Sequence, residues 1–188
     1  MDAANDPAPE DFIARTRVWV EKAVIGLNLC PFAKAVQVKD QIRYAVSLAT
    51  TTEALLDDLL RELETLAEGN PDKLDTTLLI HPHVLTDFLD YNEFLDIADA
   101  AIEDRQLDGI IQVASFHPHY QFDGADPDDI DNYTNRSPYP TLHLLREESI
   151  TRAVEAFPDA AAIFEKNIIT LRLLGHEGWR ELGLEEKL

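Results

Sequence analysis

The chain of 188 residues contains one cysteine, seven glycines and 16 Lys+Arg, and each scarcity excludes something. A single cysteine rules out an intramolecular disulfide framework. With 36 Asp+Glu the net charge is −20, which opposes the counterion release that drives nucleic-acid binding and repels anionic lipid. Neither nucleic acid nor a membrane is therefore expected as a partner. No apolar run reaches the length of a membrane-spanning helix, and the acidic start MDAANDPAPED lacks the basic and apolar regions of a secretory signal. A soluble, reducing compartment, most simply the cytoplasm, is expected. A Gly-rich phosphate loop, a GxSxG elbow and an HExxH helix are all missing, so the sequence gives no support to P-loop nucleotide hydrolysis, serine-hydrolase chemistry or zincin proteolysis.

What is present is an ordinary core composition, 45% hydrophobic, with no shift that would mark a second domain. Residues 1–10 read as a disordered acidic tail and 11–188 as a single α/β domain. Ile13, Val20, Val24 and Leu27 recur at helical spacing from Asp11 to Gly26, followed by a loop, GLNLCPFA. The β-rich run IRYAVSLAT (42–50) leads to a helix with a Thr50/Glu53 capping box and a leucine stripe through Leu56, Leu59, Leu60, Leu63 and Leu66. TTLLI (76–80), a helix from Thr86 carrying Phe88, Leu95, Ala98 and Ile102, and IIQVASF (110–116) repeat the cycle. TLHLLR (141–146) suits a fourth strand or the start of a helix, and its place between a proline turn and the cap candidate Ser149 favours the strand. Two helices then close the chain, the second entered at Pro158 and running to Gly175. Strands joined by whole helices are usually parallel. The expectation is therefore a three- or four-stranded, mostly parallel sheet flanked by helices, with ligands at the carboxyl ends of its strands.

Two copies of His-Pro-His, at 81–83 and 117–119, each end an apolar run. With six His and ten Pro, chance would give about 0.01 such tripeptides per chain. In extended backbone residues i and i+2 share a side, so each tripeptide could present two imidazoles together. His117 and His119, with His81 or His83 from a neighbouring strand end, are thus candidate ligands for a divalent transition metal, zinc or iron, and Asp123 a candidate carboxylate ligand or general base. The alternative is structural: histidines capping strand ends through loop carbonyls, with proline stiffening the turn.

Cys30 reads either as a nucleophile or thiolate ligand or as an inert core residue. His143 is the further candidate catalytic imidazole. Arg136, with Arg146 and Asn132, would bind substrate, since a guanidinium on a turn-rich loop can clamp carboxylate or phosphate; alternatively Arg136 pairs with a local acid and pins its loop. The cluster Asp123, Asp126, Asp128, Asp129 and Asp131 lacks EF-hand spacing and reads as a solvated loop.

GLNLCPFA, SFHPHYQF and NYTNRSPYPTLHLLRE make the chain resemble family 1415 of the domains of unknown function, small and mostly bacterial proteins, over nearly its whole length past the tail. That resemblance implies no activity, cofactor or catalytic residue for any position here. The residues themselves suggest an enzyme, most simply a metal-dependent hydrolase, acting on a small anionic molecule. A non-catalytic small-molecule or metal-binding module and a metal-free Cys/His enzyme are the alternatives.

Overall fold

The computed structural model describes residues 7–156 and 160–184. The chain starts with α1 (Pro9–Trp19), which widens into a π-helical turn (Val20–Ile25) and stops at Gly26. The Gly26 amide N–H donates to the Glu21 carbonyl at 2.9 Å, five residues back. A Cβ at position 26 would lie 2.2 Å from the Lys22 carbonyl oxygen, so only glycine closes the turn this tightly. The expected tail of residues 1–10 lies mostly in residues 1–6, outside the described residues, and Pro9 and Glu10 are already helical. The GLNLCPFA loop runs into a short helix, α2 (Ala33–Val38), with no apolar period to announce it.

Next come β1 (Ile42–Val46), α3 (Thr52–Glu68), β2 (Thr76–Ile80), α4 (Phe88–Asp104) and β3 (Ile111–Phe116). The cap of α3 is Thr51, whose hydroxyl accepts the Ala54 N–H, one residue past the expected Thr50. Asp87 caps α4 by accepting from the Leu89 and Asp90 amides. β4 (Thr141–Arg146), α5 (Glu147–Ala156) and α6 (Ala160–Glu181) complete the order. Gly175, expected to end the last helix, instead bends α6 with φ of 64°; Pro158 lies outside the described residues.

The sheet corrects the expectation of a mostly parallel one. Its strand order is β1-β2-β4-β3, and only β1–β2 pair in parallel. β4 is antiparallel to both β2 and β3 and separates them. The β-α-β crossovers still give β1, β2 and β3 one common direction, as their helical connections require. The segment 117–140, however, carries no crossover helix and returns from the same end at which β3 finished, so β4 runs back between its predecessors.

Helices cover both faces. On one, Leu55, Leu59, Leu63 and Leu66 of α3 and Tyr91, Phe94 and Ala98 of α4 pack on Leu79, Leu142 and Leu144. On the other, Phe12, Trp19 and Ala23 with Leu171 and Trp179 of α6 pack on Tyr44, Leu78 and Ile80. β2, central and covered twice, is buried at every residue, which is why its sequence reads as an unbroken run rather than an alternation. No described helix is long and apolar enough to cross a membrane.

Arg146 lies at the far end of the sheet from both His-Pro-His segments, opposite Ile111 at the start of β3. Its nearly buried guanidinium donates to the carbonyls of Leu66 (2.5 Å), Gly69 (2.9 Å) and Leu74 (3.1 Å). It thereby satisfies acceptors that the end of α3 leaves orphaned, and its expected role in substrate binding is corrected to this one. Arg146→Met should leave these acceptors unpaired and lower the unfolding free energy by about 2–4 kcal/mol, measured by urea denaturation.

Candidate functional site

Because β1–β3 share a direction, the carboxyl ends of β2 and β3 and the start of β4 meet at one end of the sheet. His81 and His117 are the first residues beyond those strands, and both are fully buried. The backbone N–H of His81 donates to the Pro140 carbonyl at 3.0 Å and that of His117 to Asn135 at 3.2 Å. Between their rings stands Tyr91 of α4, stacked on His81 at 5.8 Å and tilted against His117 at 5.0 Å between centroids. The Tyr91 hydroxyl donates to the Thr141 carbonyl (2.9 Å) and accepts the Phe116 N–H (3.1 Å), joining β3 and β4.

The imidazoles act on the 84–85 loop. His81 Nδ1–H donates to the Val84 carbonyl (3.0 Å) and His117 Nε2–H to the Leu85 carbonyl (3.1 Å). The second nitrogen of His117, Nδ1, accepts the His119 backbone N–H at 3.0 Å. Leu85 holds φ of 57°, a conformation that costs a non-glycine residue about 1–2 kcal/mol and persists because both neighbouring carbonyls are held.

The His117 and His119 rings do lie side by side, 5.9 Å apart between centroids, but neither tripeptide presents both imidazoles on one side, for a geometric reason. The strands stop at Ile80 and Phe116, and Pro-His in each tripeptide lies in a turn; the Tyr120 N–H donates to the His117 carbonyl, with Pro118 in the position that favours proline. Each tripeptide therefore points its first histidine inward and leaves its second exposed. His83 packs edge-on against Phe12 at 5.6 Å. His117 has no free ring nitrogen for a metal, and among the described residues no three His, Cys, Asp or Glu side chains gather as a metal-holding group.

The loop after His119 is built on Asn132, fully buried, whose Oδ1 accepts the Phe122 N–H (3.0 Å) and whose Nδ2 donates to the Asp126 carbonyl (2.8 Å). Asn132 is thus an organiser of the loop. Asp126 and Asp129 accept backbone amides two residues on, and Asp131 pairs with Arg172 of α6 at 2.7 Å. Asp123 is exposed, next to Gly124 with its φ of 72°. Arg136 does tie the loop, but through carbonyls rather than acids: Nε donates to Tyr120 (3.2 Å) and Nη2 to Pro127 (2.6 Å), and the guanidinium lies 4.4 Å over the Tyr133 ring.

Arg136 also lines a cleft of about 330 Å³ together with His119. The other walls come from residues that sequence reasoning passed over: Arg15 and Trp19 of α1, Tyr133 and Tyr139 of the loop, and Trp179 of α6. One signal was visible. The chain has two tryptophans, and both face this cleft. Cys30 and His143 sit elsewhere, lining a second, apolar chamber against the sheet face. Both line the same chamber, with no hydrogen bond between the Cys30 thiol and His143.

A mixed α/β domain with a clamped loop and an aromatic, cationic cleft at its strand ends is the class that these features define. The chain belongs to the family described as Protein of unknown function (DUF1415), whose model matches residues 11–181. No curated protein and no solved structure matches it.

Burial pushes the imidazoles of His81, His117 and His143 down to about 4, against about 6.5 in an unfolded chain. Between these values the unfolded chain binds protons that the fold refuses, so stability is complete above pH 6.5 and falls as pH drops towards 4. Each histidine contributes up to about 1.4 kcal/mol per pH unit. Urea midpoints measured from pH 7 to 5 should show close to three protons taken up on unfolding at the lower end; a flat profile would contradict it.

Proposed function

We propose that the chain binds a small anionic molecule, one with an unsaturated or aromatic body, in the cleft beside the His117 turn. The observation that carries this reading is Arg136. In a chain of net charge −20, no carboxylate among the described residues pairs with its guanidinium, and two of its nitrogens are held by carbonyls. Its charge therefore faces the cleft already oriented, which lowers the entropy cost of clamping an oxyanion. Trp19, Tyr133, Tyr139 and Trp179 supply flat apolar walls, and His119 adds a further polar group at the rim.

This reading is one of recognition. The backbone holds the His117 ring at both nitrogens and His81 at Nδ1, and the turn that follows His117 supplies Pro118 and His119 to the cleft wall. The surrounding acidic surface repels anions at long range, so selectivity rests on contacts inside the cleft.

Both tryptophans line the cleft, and their fluorescence is the natural readout. Phenyl phosphate should bind and anisole should not, and Arg136→Gln should weaken phenyl phosphate about tenfold, the loss of one charge-assisted contact. The same substitution should lower the melting temperature, because the Tyr120 and Pro127 carbonyls lose their donor. Equal responses to the charged and neutral probes, or an unchanged affinity in a folded variant, would sink the proposal.

A further inference from the structure

The second chamber, open on one side, lies between the sheet face and the π-helical turn with α2 and α5 and has a volume of about 350 Å³. Its walls are hydrocarbon apart from a few groups, and it exists because Ala33, Ala114 and Ala153 stand where larger side chains would fill it. Ala114 of β3 is directly opposite His143 of β4. The floor around this pair is therefore low, and His143 stands up beside it.

The hydrogen bonds fix the tautomer of His143, which lines the chamber. The Thr76 hydroxyl has one proton and donates it to the Leu144 carbonyl at 2.6 Å. Its contact with His143 Nε2 at 2.7 Å must then run the other way, with Nε2–H as donor. Nδ1 is left as a bare acceptor, unpartnered among the described residues and not sealed off in the protein. Burial keeps the ring uncharged down to about pH 4, so this acceptor persists at neutral pH. Gln112, two residues before Ala114 on the same face of β3, also lines the chamber, and its amide makes no hydrogen bond among the described residues.

A lone acceptor and an amide in an apolar chamber ask for a complementary ligand, since unpaired polar groups there are costly. A hydroxyl meets both: its proton goes to Nδ1 and its oxygen accepts from the Gln112 NH₂. An ether or ketone would set lone pair against lone pair at Nδ1. A carboxylate would do the same and would also meet Asp75 at the rim, whose carboxylate accepts the Ser149 hydroxyl at 2.6 Å. We propose that this chamber is a binding site for an uncharged, hydroxyl-bearing apolar molecule, a phenol or alcohol, held through His143 Nδ1 and Gln112. The site is separate from the anion cleft and does not depend on it, although Trp19 forms a wall of each.

Cys30 makes the test direct. It is the chain's single cysteine, is half-exposed and lines the chamber, so its alkylation by iodoacetamide reports occupancy of the native protein. With 4-butylphenol, 4-butylanisole and 4-butylbenzoate as probes, the phenol should slow alkylation and bind at least tenfold tighter, by calorimetry, than the other two. His143→Phe should bring phenol and anisole to equal affinity. Ala114→Leu, which raises the floor without touching a hydrogen bond, should abolish protection of Cys30. Phenyl phosphate should not compete with the phenol. The wild-type phenol-to-anisole ratio needs no substitution and decides the matter even where H143F does not fold. A ratio near one, protection retained in folded A114L, competition by phenyl phosphate, or no protection by millimolar phenol would each overturn the proposal.

Discussion

The hydroxyl of Tyr91 is the contact on which the strand-end architecture depends. β4 lies between β2 and β3, and its first residue, Thr141, is in register with Ile80 on one side and Phe116 on the other. Tyr91 bonds there, donating to the Thr141 carbonyl and accepting from the Phe116 amide. Its ring, fully buried, then serves as the surface on which His81 and His117 pack. Those rings in turn hold the carbonyls of residues 84 and 85. A helix, two strands and two loops are thereby tied through one phenol, and unpaired polar groups at this depth would each cost about 1–3 kcal/mol. The cleft lies immediately outside this knot and inherits its rigidity.

Much of the fold was legible in the sequence because periodicity reports burial. TTLLI and TLHLLR match β2 and β4 residue for residue, and the leucine stripe of α3 needed only a shift of face, to Leu55 from Leu56. The direction of β4 was not legible, since a six-residue apolar run reads the same in either orientation and its neighbours are set by the irregular segment before it. The site was half legible. His-Pro-His did mark the strand ends, but the spacing argument assumed extended backbone, and proline placed both tripeptides in turns. Arg146 and Asn132, expected to bind substrate with Arg136, satisfy backbone groups. The partners of the cleft on α1 and α6 come from the two ends of the chain, a juxtaposition no local pattern encodes.

Charge is distributed with a similar division of labour. The acidic residues of the 117–140 segment mostly hold local amides or Arg172, and so cap turns rather than bind cations. Arg17 lies over Tyr44 at 4.2 Å and Arg136 over Tyr133. Among so few cations, two rest on aromatic faces rather than on carboxylates, an arrangement that retains the positive charge while shedding part of its hydration.

The place of β4 bears on how the chain is made. β2 and β3 are both complete by Phe116, yet neither faces the other; the edges that should adjoin them wait for Thr141–Arg146. During synthesis from the amino terminus, two strand edges stay unpaired until the long irregular segment and then β4 have emerged. A ribosome-bound chain stopped before residue 141 would thus hold β1, α3 and β2 as a parallel unit with an open flank, and the last strand to arrive is the one that turns two half-sheets into one.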